Sequence, residues 1–342
     1  MKTLNVKNIS KMGKISRVTA IITSMALALT GCSSQATDQT PPENEKITIG
    51  ITQIVDHPAL NAARDGFIER LSELGIDADI NMQDAQGDIA NAQMIAEKFV
   101  SDEADLILSI ATPTSQAAQN ATKGSDIPVI FTAVTDPKFS GLVENPQAPE
   151  ANITGVTDEV SAQNLKAMFE MLKQLKPGIQ TVGIVFNTGE SNSQVQIENV
   201  EKIAAEFGIK VEKVGIAAIT DINQALESVA KKSEAMVLIN DNMVASSMEL
   251  VAKIAKEKGL ITISGDSSHV DSGALMSVGI SYFDLGRQAA DMAGRILKEK
   301  TPINQIPVES STTFSKKVNK TTLKALGMDE TNEAFKDAEF AE

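Results

Sequence analysis

Cysteine is nearly absent from this 342-residue sequence, which contains only Cys32, and histidine occurs twice, at His57 and His269. A single cysteine cannot form an internal disulfide, which excludes the small disulfide-stabilised folds. Structural zinc sites need closely spaced groups of cysteine and histidine, and the sequence has none. We therefore expect no metal and no cofactor. Because 42% of the residues are hydrophobic, the fold can depend on a large core.

Aromatic and basic side chains are also scarce. The chain has no tryptophan and one tyrosine, whereas sugar sites usually place such a ring against the sugar, so a sugar ligand is disfavoured. The chain has 31 basic and 45 acidic residues, which gives a formal net charge of -14. A surface of that sign repels phosphate groups, which argues against a nucleic-acid partner.

The N-terminal segment has the pattern of an export signal. Residues 1–17 carry five basic residues and no acid, and Val18 to Leu29 form a short apolar run. That run falls short of the ~20 residues needed to cross a bilayer, so it predicts a cleaved signal and not a membrane span. The sequence Leu29-Thr30-Gly31-Cys32 resembles a bacterial lipobox, in which the cysteine is lipidated and becomes the first residue. A free cysteine after an ordinary signal peptide is the alternative.

A polar stretch follows Cys32. Between Ser33 and Lys46 there is no Leu, Ile, Val or Phe, and Pro41 and Pro42 are adjacent. Such a segment cannot bury apolar surface, so residues 32–46 are predicted to be a disordered tether. Loss of residues 1–31 would leave 26 basic against 45 acidic residues, a net charge of -19.

Strand-length apolar runs alternate with helical periods from Lys46 onward. The run "ITIGITQ" (47–53) is followed by a helical stripe from Leu60 to Leu74, and further strands and helices alternate to about residue 157. The same order begins again at "TVGIVFN" (181–187). Two such series predict an α/β fold of two similar lobes, each a parallel sheet sandwiched by helices. A ligand cleft is expected between them, at the carboxyl ends of the strands.

Two predicted helix starts at this cleft are suited to an anion. One carries Thr112, Thr114 and Ser115, and the other carries Asn192 and Ser193. Free backbone N–H groups and the helix dipole favour a carboxylate at such positions. Ordinary N-capping accounts for the same residue types, and this alternative stays open.

Acidic residues supply the opposite charge. Asp136, Asp241 and Asp266 each follow a predicted buried strand, where a carboxylate needs a partner such as a ligand ammonium. Turn formation is an alternative for Asp136, which precedes a proline. Tyr282, at a predicted crossing between the lobes, could stack on a flat apolar side chain. Together these features favour a zwitterion, and an α-amino acid is the simplest.

An enzyme is the less favoured class. His57 and His269 lie in predicted cleft loops, but Ser267 lacks the Gly-x-Ser-x-Gly turn of many serine hydrolases. The phosphate-binding pattern Gly-x-x-x-x-Gly-Lys-Ser is also missing. We therefore predict a binding protein without catalytic residues.

Five segments resemble a known family. The stretches "ITIGITQIVDHPALNAARDGF", "ATPTSQAAQNAT", "IPVIFTAVTDP", "VGIVFNTGESNS" and "YFDLGRQAADMAGRIL" are similar to those of ABC-transporter substrate-binding lipoproteins of the tryptophan/tyrosine type. The resemblance runs from Ile47 to Gly327. It implies a type I periplasmic-binding-protein fold with three crossovers between the lobes, and an aromatic amino acid as ligand. The cleft positions that it implies are Gln53, His57, Thr112, Ser115, Asp136, Asn187, Glu190, Asn192, Ser193, Asp241, Asn242 and Asp266.

The expected division of the chain follows from these patterns. The predicted parts are a lipoprotein signal peptide (1–31), a tether (32–46), lobe one (47–157 plus 282–305), lobe two (158–281 plus 306–328) and a frayed acidic tail (329–342). Hinges are expected near 157–161, 280–283 and 306–309.

The expected role is that of a monomeric binding protein outside the cytoplasm, held on the cell membrane by lipid on Cys32. It would deliver its amino acid to an ABC permease with its ATPase. A ligand sensor that presents its closed form to a signalling receptor is the alternative, and the sequence does not separate the two.

Overall fold

The structure, a computed structural model, describes residues 46–149, 151–312 and 314–342. The predicted signal peptide, Cys32 and nearly all of the predicted tether lie outside the described residues. Within the described ranges, no helix is both long enough and apolar enough to cross a membrane.

The first sheet has six strands in the order β11-β5-β4-β3-β1-β2, with every neighbouring pair parallel. Its central strands are apolar on both faces because helices cover both faces, as in "LILSI" of β3, where every residue is buried. The strands are β1 (Ile47–Gln53), β2 (Ala78–Asp84), β3 (Leu106–Ile110), β4 (Val129–Val134), β5 (Ile153–Thr157) and β11 (Glu309–Ser310).

Four helices pack on this sheet and complete lobe one: α1 (Pro58–Glu73), α2 (Ile89–Ser101), α3 (Thr112–Ala121) and α10 (Tyr282–Leu297). Helices α1 and α10 pack closely because each helix has a glycine where it contacts the backbone of the other. A Cβ on Gly286 would lie 1.8 Å from the carbonyl oxygen of Ala63, and one on Gly66 would lie 2.1 Å from that of Phe283. This contact fixes the start of α10, and therefore Tyr282, at the interface of the lobes.

The second sheet has seven strands in the order β13-β12-β10-β9-β8-β6-β7, all parallel to their neighbours except for the antiparallel pair β10 and β12. The strands are β6 (Thr181–Asn187), β7 (Lys210–Ile216), β8 (Ala235–Leu238), β9 (Ile261–Asp266), β10 (Met276–Ile280), β12 (Phe314–Asn319) and β13 (Glu339–Ala341).

Lobe two has a core on each face of its sheet. Alternate residues of β8 point to opposite faces, so Val237 joins one core and Leu238 the other. The helices of this lobe are α4 (Ala162–Leu175), α5 (Ser191–Glu206), α6 (Ile222–Ala230), α7 (Asn242–Ala245), α8 (Met248–Glu257), α9 (Ser268–Asp271) and α11 (Lys320–Ala325).

Three crossovers join the lobes, and the third lies later than expected. The first two follow β5 and β10. The expected hinge at 306–309 belongs to lobe one instead: Ile306 is buried in its core, and Glu309 and Ser310 pair with Val156 and Thr157 of β5. The chain passes to the second sheet between Ser310 and Phe314.

One further expectation needs correction. Besides it, the sequence pattern from Met243 to Gly259 predicts one helix, whereas the structure divides this segment at Ser246 and Ser247 into α7 and α8. The acidic tail is not frayed: β13 pairs with β12, and Phe335 is 2% exposed in a core of lobe two. The apolar residues of this acidic tail attach it to lobe two. A prediction made from its acidic residues alone missed this.

Candidate binding cleft between the lobes

Side chains from both sheets meet where the carboxyl ends of the strands face one another. The amide of Gln196 on α5 donates to Thr135 Oγ1, after β4, at 3.3 Å. Asn240, after β8, donates to the Asp158 carboxylate at the first crossover at 3.2 Å. The lobes are therefore in direct contact through hydrogen bonds.

A small polar cavity, the inner cavity, lies at this junction. Its volume is about 10 Å³, room for about one water molecule. It is lined by His57, Leu60, Ala133, Thr135, Asp158, Asn192, Asn240, Asp241, Asn242, Ala245, Asp266, His269 and Tyr282. The lining has three aspartates and, among the described residues, no lysine or arginine.

Glu190 organises the lobe-two side of the cleft. Its carboxylate is 5% exposed and accepts five hydrogen bonds of 2.6–3.2 Å. The donors are the side chains of Asn187, Asn192 and Asn242 and the backbone N–H groups of Asn242 and Met243. Glu190 thus ties the loop after β6 to the first turn of α7.

Asp241 is a second buried carboxylate that accepts several hydrogen bonds. It is fully buried and accepts from the Asn187 N–H at 2.6 Å, the Ser193 hydroxyl at 2.7 Å and the Val244 N–H at 2.9 Å. Burial, together with the nearby charge of Glu190, raises the pKa of Asp241 to about 7. The Ser193 hydroxyl, expected to face a ligand, is committed to this carboxylate.

We predict a pH-dependent stability from Asp241. Its ordinary pKa is 3.8 and its folded pKa about 7, so between these values the folded chain holds a proton that the unfolded chain has released. The stability that this proton supplies is present at low pH and is lost as the pH rises through about 7. The difference in unfolding free energy between the native chain and Asp241→Asn should therefore fall by at most about 4 kcal/mol from pH 4 to pH 8.

Urea unfolding of both chains at each pH measures this difference. The comparison with Asp241→Asn removes the contributions of His57 and His269, whose lowered pKa values act in the opposite direction and are common to both chains. A difference that stays constant or grows with pH would contradict the prediction.

Asp266 and the two histidines form the third polar group. Asp266 accepts only from Ser268, at 2.8 Å from its N–H and 2.9 Å from its hydroxyl, and burial raises the pKa of Asp266 to about 6. His269 Nε2 lies 3.4 Å from its carboxylate. Burial lowers the pKa of His57 and of His269 to about 4, so both imidazoles are neutral at pH 7. Asp266 is thus a buried acid without a cationic partner among the described residues.

Asp158 is a cleft residue that the sequence reading missed. It is 2% exposed and accepts from the Tyr282 hydroxyl at 2.5 Å and from the Thr135 hydroxyl at 2.9 Å. Burial raises the pKa of Asp158. An acid directly after a buried strand was the signal used for Asp136, and Asp158 after β5 satisfies it equally. Gln196, inside α5, gave no comparable signal.

In lobe one, three of the predicted site residues form hydrogen bonds within their own lobe. The Thr114 hydroxyl donates to the Ile110 carbonyl at 2.6 Å and the Ser115 hydroxyl to the Ala111 carbonyl at 2.8 Å, so both turn back into their own lobe. Thr112 Oγ1 is buried and has no hydrogen-bond partner among residues 46–149, 151–312 and 314–342. Asp136 accepts from the backbone of Lys138 and Phe139, 2.9 Å each, which is turn formation.

Gln53 is buried beside the start of α1. Its amide nitrogen donates to the Val55 carbonyl and to Asn61 Oδ1, while Oε1 has no hydrogen-bond partner among the residues that the structure describes. Two alanines in this lobe, Ala111 and Ala133, adopt positive φ values of 87° and 57°, a region that favours glycine. Such strain concentrates at functional sites, and both positions adjoin cleft residues.

A second cavity, the outer groove, opens between the lobes. Its volume is about 470 Å³. It is lined by Ile54, Val55, Gln86, Gly87, Asp88, Ile89, Ala90 and Pro113 of lobe one and by Asn187, Gly189, Glu190, Ala217, Ile219, Asn242, Met243 and Ser246 of lobe two. Asn242 lines both the outer groove and the inner cavity, so the two adjoin.

Comparison with known proteins gives consistent matches. The family described as ABC transporter substrate binding protein matches residues 48–340. A protein of Clostridioides difficile strain R20291, named tyrosine-binding protein, is 39% identical over 310 residues, 88% of each chain.

Two solved structures differ in how well they match. A domain from Streptococcus pneumoniae in complex with L-Trp is 28% identical, covers 85% of this chain and 99% of its own, and has a TM-score of 0.80. A ligand-free, open substrate-binding protein with adhesive properties from Clostridium difficile is 40% identical, covers 86% and 99%, and has a TM-score of 0.65. Overall geometry therefore agrees better with the L-Trp complex, although its sequence is less similar.

Proposed function

Because this chain belongs to the ABC transporter substrate-binding protein family, we propose that it captures tyrosine or tryptophan between its lobes and delivers it to an ABC permease. The family resemblance predicted from the sequence is confirmed, and the fold is that of type I periplasmic binding proteins. The ligand class is supported by the names of two relatives, one tyrosine-binding and one bound to L-Trp.

One observation carries the proposal. Within the part of the chain that the structure describes, buried polar atoms of both lobes at the cleft lack a hydrogen-bond partner, and they include Gln53 Oε1, His57 Nε2, Thr112 Oγ1, Asn192 Oδ1, Asn240 Oδ1 and His269 Nε2. Buried polar groups in folded proteins are nearly always hydrogen-bonded, and an unpaired one costs about 1–3 kcal/mol. A polar ligand that joins the lobes would satisfy them.

The carboxylate of an amino acid would lie at α3 or α5. The first-turn N–H groups of a helix have no intrahelical partner, and neither of these helices has a side-chain cap. Two buried hydroxyl oxygens, Ser191 Oγ at the start of α5 and Thr112 Oγ1 at the start of α3, have no hydrogen-bond partner in the described ranges. In the first turns of α2, α7 and α9, by contrast, a backbone N–H already donates to Asp88, Asp241 and Asp266, respectively.

The ammonium group would meet Asp266. Asp158 and Asp241 each accept three side-chain or backbone hydrogen bonds from different residues, whereas Asp266 accepts two, both from Ser268. A carboxylate has about four acceptor sites, so Asp266 keeps the most capacity for a ligand.

Thermal unfolding with a panel of ligands tests the proposal. A ligand that binds only the folded state stabilises it by RT ln(1 + [L]/Kd), so tyrosine or tryptophan at about 100 times Kd should add about 2.7 kcal/mol and raise the melting temperature. Sugars, nucleosides and inorganic anions serve as controls. A shift with one of these classes and none with any aromatic amino acid would refute the ligand assignment.

We further propose that the chain is anchored outside the cytoplasm by lipid on Cys32. The support is the signal-like N-terminus and the lipobox pattern, together with the extracytoplasmic location of the family. In bacterial expression the full chain should fractionate with the membrane and Cys32→Ser with the soluble fraction. Equal fractionation of the two would contradict lipid anchoring.

A further inference from the structure

The aromatic side chain of the ligand needs an apolar cavity of sufficient size. The inner cavity, about 10 Å³, cannot hold a ring, although Tyr282 lines it. A third cavity, lined by Leu165, Met168 and Val200 among others, reaches only about 20 Å³. The outer groove, about 470 Å³, is the large cavity that both lobes line and that adjoins the inner one.

The groove is apolar where the lobes face each other. Ile54, Val55, Ile89 and Pro113 line it from lobe one, and Ile219 and Met243 from lobe two. Ile89 is 61% and Ile219 47% exposed, an unusual exposure for large apolar residues at a cleft. A ring placed between them would remove apolar surface of both lobes from water, and so would favour the closed form.

The charges of the groove fit the same occupant. Its lining includes Asp88 and Glu190 and, among the described residues, no lysine or arginine. An acidic side chain would be repelled, whereas a ring that ends in a hydrogen-bond donor, the phenol O–H or indole N–H, would meet acceptors.

We infer that the outer groove receives the aromatic side chain of the ligand, with Ile89, Ile219 and Met243 setting its side-chain specificity. This inference rests on the proposed function and replaces the sequence expectation that Tyr282 stacks on the ring. Tyr282 instead donates its hydroxyl to Asp158. Ile89, Ile219 and Met243 had no place among the predicted site residues.

The absence of tryptophan from the chain allows a direct test. In L-tryptophan complexes, indole fluorescence comes only from the ligand. Cys32 is the sole cysteine, so a Cys32→Ser chain accepts one nitroxide label at an introduced cysteine. Labels at Ile219→Cys, in the groove, and at Met94→Cys, exposed on α2 outside the groove lining, are compared at saturating L-tryptophan.

The label at position 219 should quench the bound indole more strongly than the label at position 94, or should block binding while the label at 94 does not. Equal quenching with binding retained would overturn the inference and leave the proposed function intact. No binding of L-tryptophan or L-tyrosine by the unlabelled chain would instead overturn the proposed function.

A matched pair of variants gives an independent readout. Ile89 and Met94 lie on the same helix and are 61% and 60% exposed, but only Ile89 lines the groove. Ile89→Asp should weaken L-tryptophan binding about fivefold or more, by loss of apolar contact, and Met94→Asp less than about twofold. Equal effects of the two variants on affinity would count against the groove.

Discussion

Replacement of Glu190 by alanine is expected to lower the free energy of unfolding by about 2 to 4 kcal/mol, since it removes the acceptor of five buried or partly buried hydrogen bonds at once. The donors come from the end of β6, the first turn of α5 and the first turn of α7, so these three segments lose their common partner. Water can satisfy part of this set, which keeps the expected cost below the sum of five separate losses. Urea unfolding gives the value directly.

Glu198→Ala is the matched control. Glu198 is an exposed residue of α5, the helix that Glu190 directly precedes. Its replacement by alanine should change the free energy of unfolding by less than about 0.5 kcal/mol. Similar losses in the two variants would show that Glu190 does not organise the cleft. Loss of its negative charge should also lower the pKa of Asp241, because Glu190 is the second cause of that raised pKa.

Most strands of the two sheets could be predicted because the apolar residues within each strand are enough to identify it. A parallel strand covered on both faces is a continuous apolar run, and β1, β3 and β6 can be recognised from five to seven residues each. Strand β11 has only Glu309 and Ser310, whose pairing with β5 depends on distant residues. No short-range pattern could have placed the third crossover after it.

The site was predictable in part for a similar reason. Acids at or shortly after the ends of buried strands do lie at the cleft, as Asp266 and Asp241 do, because strand ends meet at one edge of a sheet. The direction of a hydroxyl is decided by local geometry: Thr114 and Ser115 bond to carbonyls one turn earlier, a choice open to any Ser or Thr in a helix. Residue types therefore predicted which loops lie at the cleft, but they did not predict which hydrogen bonds the side chains form there.

Asp266→Asn should weaken the binding of tyrosine and tryptophan by about 30-fold or more. Removal of one partner of a buried, hydrogen-bonded charge pair costs about 2 to 5 kcal/mol, and 1.4 kcal/mol is a tenfold change in affinity. Asparagine retains an oxygen that can accept from the Ser268 N–H, so the start of α9 should remain formed. Titration calorimetry at pH 7.5 measures the loss. Asp271→Asn, an exposed position in the same helix, should leave affinity unchanged.

The pH dependence separates a charge contact from a structural role for Asp266. Its pKa of about 6 means that the carboxylate of the ligand-free chain is protonated as the pH falls below 6, and a neutral acid attracts an ammonium group weakly. Affinity of the native chain should therefore decrease from pH 7.5 to pH 5, while that of Asp266→Asn should change much less. Since His57 and His269 stay neutral until about pH 4, they do not produce this decrease. Parallel decreases in both chains would instead assign the ammonium contact to another group of the inner cavity, for which Asp241 and Asp158, both with a raised pKa, would be the next residues to replace.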